Sequence, residues 1–525
     1  MTRGGGGSRK SGASRVQWID ARNARRLLFP AFQDALDVEP IGSLDPVLGR
    51  AAARAVREEA FRGETGENLA VFSPGRGRLG SVTLLGLGAE GKATLESVRR
   101  AFGSFGRRAA RGRKEDVALP LDAPAMKKLV EHFGLEGLVE AIALAWEIGG
   151  YAFDAYKTEG RSGGRKPVRL LLSGRMFGGT RGAARAVAGA RTVVERTIQR
   201  ASAIARAVNF ARDLSNTPPN DLGPEGLGRH ARSVARAGKL RFSLLGKADL
   251  ARRGMGAILA VAQGSERPPC LITLEYRPRR PARRTLVLVG KAITFDAGGL
   301  SIKPAKGMEE MKFDMAGGAA VLGAMKAVAE LRPSLRVVGI IPAAENVIGG
   351  SAMRPGDIIR SAAGKTIEVI NTDAEGRLIL ADALHHARRF RPDYIVDFAT
   401  LTGACLVALG SQVSGMFTND EGLGKEVFEA GERSGERVWK LPLYEEFVEL
   451  TKSPVADLRN STGRNAGAIT AAAFLSRFVD GVKWCHLDIA GTAWTEKDTG
   501  GFVAGATGVG VRLAVELVRA LERPS

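Results

Sequence analysis

Seven of the charged side chains in three short segments that also contain glycine have types and spacing that could do chemistry. The segments are KAITFDAGGLSIKP (291–304), MKFDMAGGAAVLG (311–323) and NTDAEGRLILADAL (371–384). The seven residues are Lys291, Asp296, Lys303, Asp314, Asp373, Glu375 and Arg377. If these segments meet, the four carboxylates repel one another and raise their own pKa values unless cations lie among them.

Two divalent metal ions would stabilise such an acidic cluster, because their charge balances that of four carboxylates. Carboxylate oxygens are common ligands of zinc, manganese and magnesium. A pair of ions roughly 3.5–4 Å apart is a frequent device of hydrolases, since it lowers the pKa of a bridging water and supplies hydroxide near neutral pH. The residue types therefore predict a two-metal hydrolytic site.

The spacing and the charges suggest tasks for individual residues. Asp373 and Glu375 are separated by one residue, so in an extended loop both can reach the same pair of ions. Lys303 and Arg377 suit the stabilisation of an oxyanion or the binding of an anion. Lys291 can ligate a metal as the neutral amine, because a nearby divalent charge depresses its pKa. Each residue alone is also typical of a solvated charge or a helix cap, and only the whole set favours a site.

The elements that must position these residues alternate between apolar strands and helices. Runs rich in β-branched residues predict strands, and periodic stretches between them predict helices. The predicted strands are TLVLVG (285–290), LRVVGIIPA (335–343), TIEVIN (366–371) and YIVDFAT (394–400), and the predicted helices include 314–331 and 378–390. This alternation indicates a parallel or mixed sheet covered on both faces, with ligands at the carboxyl ends of its strands. The three charged segments are therefore expected at one edge of that sheet.

The length of 525 residues predicts more than one domain. Strand patterns at 81–88 and 168–174 and a helix pattern at 124–148 indicate a separate domain in the first part of the chain. The predicted fold class is α/β, with a smaller N-terminal α/β domain and a catalytic α/β/α domain that has a mixed central sheet. The predicted divisions are a flexible tail (1–18), the N-terminal domain (19–190), a helical connector without Gly or Pro (191–212) and the catalytic domain (213–525).

The composition is that of a globular protein, with 44% hydrophobic and 25% charged residues. The three cysteines, Cys270, Cys405 and Cys485, form no CxxC pair, which fits a reducing compartment and argues against a thiolate zinc site. No apolar run reaches the ~18 residues needed to span a bilayer, and the first residues lack the apolar core of a secretory signal. We therefore expect a cytoplasmic protein with no membrane segment.

Positive charge is concentrated in the first part of the chain. Residues 1–200 contain 34 Lys and Arg and 21 Asp and Glu, so they carry +13 of the net charge of +21. A basic surface can bind a polyanion such as nucleic acid. We favour a solvated basic face, because no basic motif with interleaved aromatic residues occurs.

The three charged segments together resemble the signature segments of the leucine aminopeptidase (cytosol aminopeptidase) family, and NTDAEGRL is a highly specific motif. The resemblance continues through VDFATLTGACLVALG (396–410), ADLRNSTGRNAGAITAAAFL (456–475), HLDIAGTAW (486–494) and GATGVGVRL (505–513). It covers roughly residues 210–515. It implies a metallo-exopeptidase that removes the N-terminal residue of peptides, with Leu and other apolar residues preferred.

The resemblance also implies which residues hold two divalent ions per subunit, zinc or manganese or both. Lys291 and Asp314 would bind one ion only. Asp296 and Glu375 would bridge to the second ion. Asp373 would hold that second ion, partly through its backbone carbonyl.

Two further residues receive catalytic roles from the resemblance. Lys303 would polarise the scissile carbonyl and stabilise the tetrahedral gem-diolate. Arg377 would bind a bicarbonate ion that serves as general base. The free α-amine of the substrate would ligate a metal, which implies exopeptidase rather than endopeptidase action.

The resemblance implies a substrate cleft and an assembly as well. A homohexamer with active sites that face a central cavity is expected. Ala292 lies where the family often has Gly, and Ala297 replaces a common Ser or Thr, but neither change removes a ligand. The residues expected to line the cleft are Met311, Asn371, Ala374, Thr400, Leu401, Gly403, Ala490 and Ala493.

Two other hypotheses stay open. Some bacterial members of the family also bind DNA, and the basic N-terminal domain motivates such an additional or alternative role. A catalytically silent homologue is the second alternative, and the intact set of seven charged residues argues against it. The sequence contains no HExxH motif, which excludes a zincin.

Overall fold

The structure is a computed structural model that describes residues 15–18, 24–73, 79–111, 116–159, 168–174 and 181–522, with residues 15 and 181–189 described by backbone alone. These residues divide into two compact units. Unit 1 comprises the described residues up to Arg206 together with Lys497–Ala504. Unit 2 comprises Ala207–Glu496 and the described residues from Gly505 onward.

Unit 1 contains a six-stranded sheet with helices. Its strands are β1 (Arg15–Trp18), β2 (Arg26–Ala31), β3 (Asn68–Phe72), β4 (Ser81–Gly86), β5 (Val117–Pro120) and β6 (Arg169–Ser173). Its helices are α1 (Glu39–Leu44), α2 (Pro46–Arg57), α3 (Leu95–Arg111), α4 (Pro124–Phe133) and α5 (Leu135–Gly149), followed by α6 (Arg181–Asn216), whose residues belong to both units. The strand order is β1-β6-β5-β2-β4-β3, and all neighbouring pairs are parallel except β3 and β4.

The structure corrects two expectations for the first part of the chain. Residues 15–18 of the predicted tail form β1, which pairs with β6, whereas residues 1–14 lie outside the described residues. The single helix predicted at 124–148 is two helices, α4 and α5. Gly134 separates them with a φ of +72°, a conformation that favours glycine and that a right-handed helix cannot contain.

Unit 2 contains the larger share of the strands. They are β7 (Arg241–Leu245), β8 (Cys270–Tyr276), β9 (Thr285–Gly290), β10 (Ala292–Asp296), β11 (Arg336–Asn346), β12 (Ile358–Arg360), β13 (Thr366–Glu368), β14 (Tyr394–Ala399), β15 (Ser414–Thr418), β16 (Val438–Lys440), β17 (Leu458–Arg459), β18 (Lys483–Asp488), β19 (Trp494–Thr495) and β20 (Gly505–Ala506). The helices that begin in this unit are α7 (Pro224–Gly238), α8 (Lys247–Arg252), α9 (Gly256–Val261), α10 (Ala316–Leu331), α11 (Gly376–Ala387), α12 (Gly403–Leu409), α13 (Glu421–Ser434), α14 (Glu445–Glu449), α15 (Gly467–Ser476) and α16 (Val511–Leu521).

The central sheet of unit 2 is mixed. Its strand order is β16-β15-β18-β14-β9-β11-β8-β7, and β10 also pairs with β11. Strands β18, β14, β9 and β11 run parallel to one another, whereas β15, β8 and β7 introduce antiparallel pairs. Together with the α/β arrangement of unit 1, this confirms the predicted fold class.

Helices cover both faces of the central strands. On one face, Val287 and Val289 belong to the same apolar core as Leu378 of α11. On the other face, a side chain added at Gly339 of β11 would meet Val321 and Met325 of α10. Successive residues of a strand point to opposite faces. Because helices cover both faces here, β9 and β11 carry apolar residues at successive positions and not only at every second one. Within the described residues, no helix combines the length and the hydropathy that a membrane span requires.

The structure also corrects two predicted elements of unit 2. Only Thr366–Glu368 of the predicted strand 366–371 is a strand, β13, and it belongs to a separate three-stranded sheet with the order β12-β13-β17. The backbone N–H groups of Ile370 and Asn371 instead donate to the side chain of Asn460. The helix predicted to begin at 314 begins at Ala316, since a 3-10 helix over Met308–Phe313 precedes it.

Candidate metal centre

The ends of four elements bring the charged segments together. Strands β9 and β10 pair with β11 one after the other, and Lys291 is the single residue between them. Asp296 is the last residue of β10, and Asp314 lies between the 3-10 helix and α10. Asp373 and Glu375 lie in the segment that follows β13 and precedes α11, here named the carboxylate loop (residues 369–375).

Lys291 lies between two of the carboxylates. Its Nζ is 2.9 Å from Asp314 Oδ1 and 2.8 Å from Glu375 Oε1, and it donates to the backbone oxygen of Thr400 at 2.8 Å. Thr400 Oγ1 in turn donates to Asp314 Oδ1 at 2.7 Å. The lysine is 3% exposed, so its amine is enclosed by these partners.

Lys303 lies between the other two carboxylates. Its Nζ is 2.8 Å from Asp296 Oδ2 and 2.5 Å from Asp373 Oδ1. Its side chain is 21% exposed, in contrast to that of Lys291. The two lysines thus pair with the acids in the same way, but only Lys303 presents part of its side chain to solvent.

The four acids, here named the carboxylate cage (Asp296, Asp314, Asp373 and Glu375), carry more negative charge than the two lysines balance. Four carboxylates and two ammonium groups leave a net charge of −2 when all are ionised. Burial, with repulsion among the acids, raises the pKa of Asp296 well above its ordinary value, that of Asp314 to about 7, and that of Asp373. The arrangement therefore favours the addition of positive charge, either protons or metal cations.

The remaining ionised groups are held charged by their neighbours. Burial acts to raise the pKa of Glu375, but attraction by Lys291 and Lys303 outweighs it and the pKa is lowered. Burial also acts to lower the pKa of both lysines, and the surrounding carboxylates reverse this and raise it. Glu375 is thus the cage acid that stays ionised most readily.

The donor set fits a divalent cation. Ligand atoms of Asp296, Asp314 and Glu375 all lie within 4.8 Å of one another, and the three residues are buried. Asp314 Oδ2 is buried and accepts no hydrogen bond from any residue that the structure describes. A buried carboxylate oxygen without a partner is costly, and coordination by a hard or borderline cation would satisfy it.

Arg377, in the first turn of α11, lies beside the cage. Its Nη1 donates to the backbone oxygen of Asn460 at 2.8 Å. Within the described part of the chain its Nε has no hydrogen-bond partner, and burial lowers the pKa of the guanidinium to about 10. A buried guanidinium with a free donor is suited to an anion.

Two glycines leave the space that the charged side chains fill. A Cβ at Gly376 would lie 2.6 Å from Lys291 Nζ. Gly298 has a φ of +84°, and a Cβ there would lie 3.0 Å from Asp373 Oδ1. Close approach to the cage, rather than a tight turn alone, therefore accounts for glycine at position 376.

The structure brings some of the predicted cleft residues to the cage. Thr400 contacts both Lys291 and Asp314, as described above. Asn371 Oδ1 accepts from the backbone N–H of Asp373 at 2.9 Å, and Ala374 is part of the carboxylate loop. The backbone oxygen of Met311 accepts a hydrogen bond from the backbone N–H of Asp314 at 3.3 Å.

Two of the other predicted cleft residues contact Asp488, which is not one of the cage acids. The backbone N–H groups of Leu401 and Ala490 both donate to Asp488 Oδ1, each at 3.2 Å. Gly403 is exposed at the start of α12, and Ala493 is buried with 1% exposure. Asp488 thus joins two of the predicted cleft segments.

Sequence reasoning missed three buried residues that organise the site: Asn346, Asn460 and Asp488. Asn346 Nδ2 donates to Asp296 Oδ1 at 2.8 Å and to the backbone oxygen of Thr372 at 3.1 Å. Asn346 and Asp488 close strands β11 and β18, so a search of all strand ends for polar residues would have found them. Asn460 follows a strand of two residues, which gives no such signal.

A mixed α/β sheet with a buried acidic cage at the carboxyl ends of its parallel strands defines a metal-dependent enzyme. Comparison with known families is more specific. The catalytic-domain model of the cytosol aminopeptidase family matches residues 209–515, and its N-terminal-domain model matches residues 30–160. The chain belongs to the cytosol aminopeptidase family and is a metal-dependent aminopeptidase, a peptidase of the hydrolase class. The resemblance inferred from the signature segments is thereby confirmed.

Relatives cover nearly the whole chain. The probable cytosol aminopeptidase of Syntrophotalea carbinolica is 46% identical over 494 residues, which cover 94% of this chain and 96% of the relative. That of Geobacter sulfurreducens is 45% identical over 483 residues, which cover 92% and 94%.

Two solved structures also match nearly the whole chain. A mutant of tomato leucine aminopeptidase matches with a TM-score of 0.84 and 34% identity, over 98% of this chain and 97% of that chain. The bottromycin maturation enzyme BotP in complex with Mn matches with a TM-score of 0.79 and 33% identity, over 95% and 100%.

Proposed function

We propose that the chain removes single residues from the N-termini of peptides, with Leu and other apolar residues preferred, by means of two divalent ions. The ions would be zinc, manganese or both. The carboxylate cage carries this proposal, since its net negative charge suits cations, as does Asp314 Oδ2, which has no hydrogen-bond partner in the described part of the chain. The manganese complex of BotP supports the choice of metal. The ligands would be Lys291, Asp296, Asp314, Asp373 and Glu375.

The exposure of the two lysines supports different roles for them. When bound, the ions would polarise a carbonyl and lower the pKa of a water. Lys291 is enclosed, so it suits a ligand, which requires the neutral amine. Lys303 keeps part of its surface exposed, so its ammonium can reach the oxyanion that forms on the scissile carbonyl.

Arg377 would hold a bicarbonate ion that acts as general base. Its Nε has no hydrogen-bond partner among the residues that the structure describes, and this supports the role because a buried donor gains most from an anion. Held by Arg377, such an anion would supply general acid–base chemistry beside the carboxylate cage.

The cleft residues would bind the side chain and the backbone of the substrate. Burial of a Leu side chain contributes about 1.5–3 kcal/mol, enough to favour apolar residues. Ligation of the free α-amine would restrict cleavage to the first peptide bond. The proposed set is Met311, Asn371, Ala374, Thr400, Leu401, Gly403, Ala490 and Ala493.

Release of leucine from a leucyl amide tests the proposed function. Activity should vanish after treatment with a chelator and return on addition of zinc, manganese or cobalt, because the acids alone supply no Lewis acid. An N-acetylated leucyl amide is the control substrate, since its blocked amine cannot ligate a metal. Activity that survives complete metal removal, or cleavage of the blocked substrate at the same rate, would contradict the proposal.

A second candidate function is DNA binding by the basic first part of the chain. The supporting observation is the +13 charge of residues 1–200. Binding through phosphate contacts should weaken steeply as salt rises, because it depends on the release of counterions. A gel-shift titration at low and at moderate salt is the measurement. An unshifted duplex at low salt would remove this candidate.

The assembly, the location and the domain limits are also proposals. A homohexamer is proposed from the resemblance of the signature segments alone, and a cytoplasmic location is supported by the names of the family and of the relatives. The predicted divisions at 19–190, 191–212 and 213–525 stay predictions. Light scattering of the intact protein would test the hexamer directly.

A further inference from the structure

We propose that Asn460 is a positioning residue that holds the carboxylate loop and Arg377 in the geometry required for metal binding. The inference rests on the proposed roles of Asp373 and Glu375 as ligands. Asn460 contacts neither carboxylate. It acts instead on the backbone from which both side chains project.

The side chain of Asn460 is fully buried and makes four hydrogen bonds to this loop. Its Oδ1 accepts from the backbone N–H of Ile370 at 2.8 Å and of Asn371 at 3.3 Å. Its Nδ2 donates to the backbone oxygen of Asn371 at 2.7 Å and of Ala374 at 3.3 Å. One carboxamide therefore spans the loop from its beginning to the residue between the two acids.

The backbone of Asn460 also makes hydrogen bonds to the residues on either side of the loop. Its N–H donates to the backbone oxygen of Glu368 at 3.0 Å, at the end of β13. Its carbonyl oxygen accepts from Arg377 Nη1 at 2.8 Å. Asn460 thus connects the strand before the loop, the loop itself and the arginine after it.

Beyond Val369, whose backbone bonds Gly356 and Asp357, the loop depends on such a partner because it pairs with no strand that the structure describes. It lies between β13 and α11, outside regular secondary structure, and its buried backbone groups require hydrogen bonds. Asn offers a donor and an acceptor on one short side chain, which Asp, Leu and Ala do not. Asn346 also donates to the backbone oxygen of Thr372 and to Asp296 Oδ1. The loop is therefore fixed against β11 as well as against Asn460.

The variants Asn460→Ala and Asn460→Asp test the inference. N460A removes all four side-chain hydrogen bonds, and N460D keeps the volume but places a second acceptor against two carbonyl oxygens. Each should bind metal roughly 10- to 100-fold more weakly, the range found when groups behind metal ligands are removed. The measurement is titration of the full chain with zinc or manganese alone against a chromogenic chelator. Saturating metal should restore much of the leucyl amidase activity.

Asn419→Ala is the matched control. The side chain of Asn419 also bonds backbone groups. Its Nδ2 donates to the backbone oxygen of Val482 at 2.9 Å, and its Oδ1 accepts from the backbone N–H of Trp484 at 2.7 Å. These contacts lie at the amino end of β18, the end opposite to the carboxyl edge that holds the cage. N419A should lower the melting temperature but leave metal affinity unchanged.

Three outcomes separate the possibilities. Weaker metal binding by the folded N460A or N460D protein, with N419A unaffected, supports the inference. Wild-type metal affinity in both Asn460 variants, with melting temperatures lowered as in N419A, would overturn it and leave Asn460 a purely structural residue. The Glu375→Gln variant tests the proposed ligand set separately. If this variant also keeps wild-type metal affinity, the ligand set is wrong, whatever the Asn460 variants show.

Discussion

Replacement of Glu375 by Gln should abolish most of the aminopeptidase activity and the capacity to hold two ions. Glu375 is the cage acid whose pKa is lowered, and it is proposed to contact both ions. Gln keeps the size of the side chain but removes the charge and one strong acceptor. Metal catalysis supplies several kcal/mol, and at about 1.36 kcal/mol per tenfold this predicts a fall in kcat of about 10³-fold or more. Leucyl amide turnover and metal content per chain are the two measurements.

Glu436→Gln is the matched control for this substitution. Glu436 is also buried and ionic: Oε1 accepts from Arg512 Nε at 3.0 Å, and Oε2 accepts from the backbone N–H groups of Gly510 and Leu513. Its replacement should cost stability without loss of metal. If the Glu375 variant retained two ions per chain and normal turnover, the two-ion proposal could not stand.

Replacement of Lys303 by Met should reduce kcat by roughly 10²- to 10³-fold, the usual effect of removing one group that stabilises an oxyanion. Metal affinity should stay the same or increase, because the ammonium competes with cations for Asp296 and Asp373. The metal-free variant should be less stable than the metal-free parent, since the buried Asp296 and the partly exposed Asp373 lose their counter-charge. Turnover, metal titration and thermal unfolding with and without metal give the three readings.

Lys326→Met provides the comparison for Lys303. Lys326 is a partly exposed lysine of α10 that pairs with Glu330 at 3.2 Å, so its replacement removes an ion pair without touching the cage. It should leave kcat and metal affinity unchanged. A Lys303 variant that lost metal instead of turnover would show that Lys303 is a ligand and not an oxyanion stabiliser.

The residues of the cage could be predicted because their chemistry is local in the sequence. Each lies in a short segment that contains glycine, and polar residues at the carboxyl ends of strands in one sheet meet in space. The path of the backbone that brings these side chains together could not be predicted in full. The carboxylate loop follows β13 of a small separate sheet, and the backbone N–H groups of Ile370 and Asn371 donate to Asn460 in place of a neighbouring strand.

The division of the fold shows the same pattern. Alternation of strands and helices, a long helix near residue 200 and an α/β class are properties of short windows, and the structure contains them. Gly134 ends α4 because of a φ value that periodicity alone does not reveal. The segment Lys497–Ala504 belongs to unit 1 although the chain around it belongs to unit 2, a result of packing between residues far apart in sequence.

By itself, the sequence determined which groups could do the chemistry: four acids, two lysines and an arginine in segments with a family signature. It did so because charge, donor type and strand periodicity are carried by residues close together in the chain. The tertiary structure alone decided how those groups are oriented and held. Asn346, Asn460 and Asp488 reach the site from distant segments, and hydrogen bonds between residues tens of positions apart leave no periodic trace in the sequence.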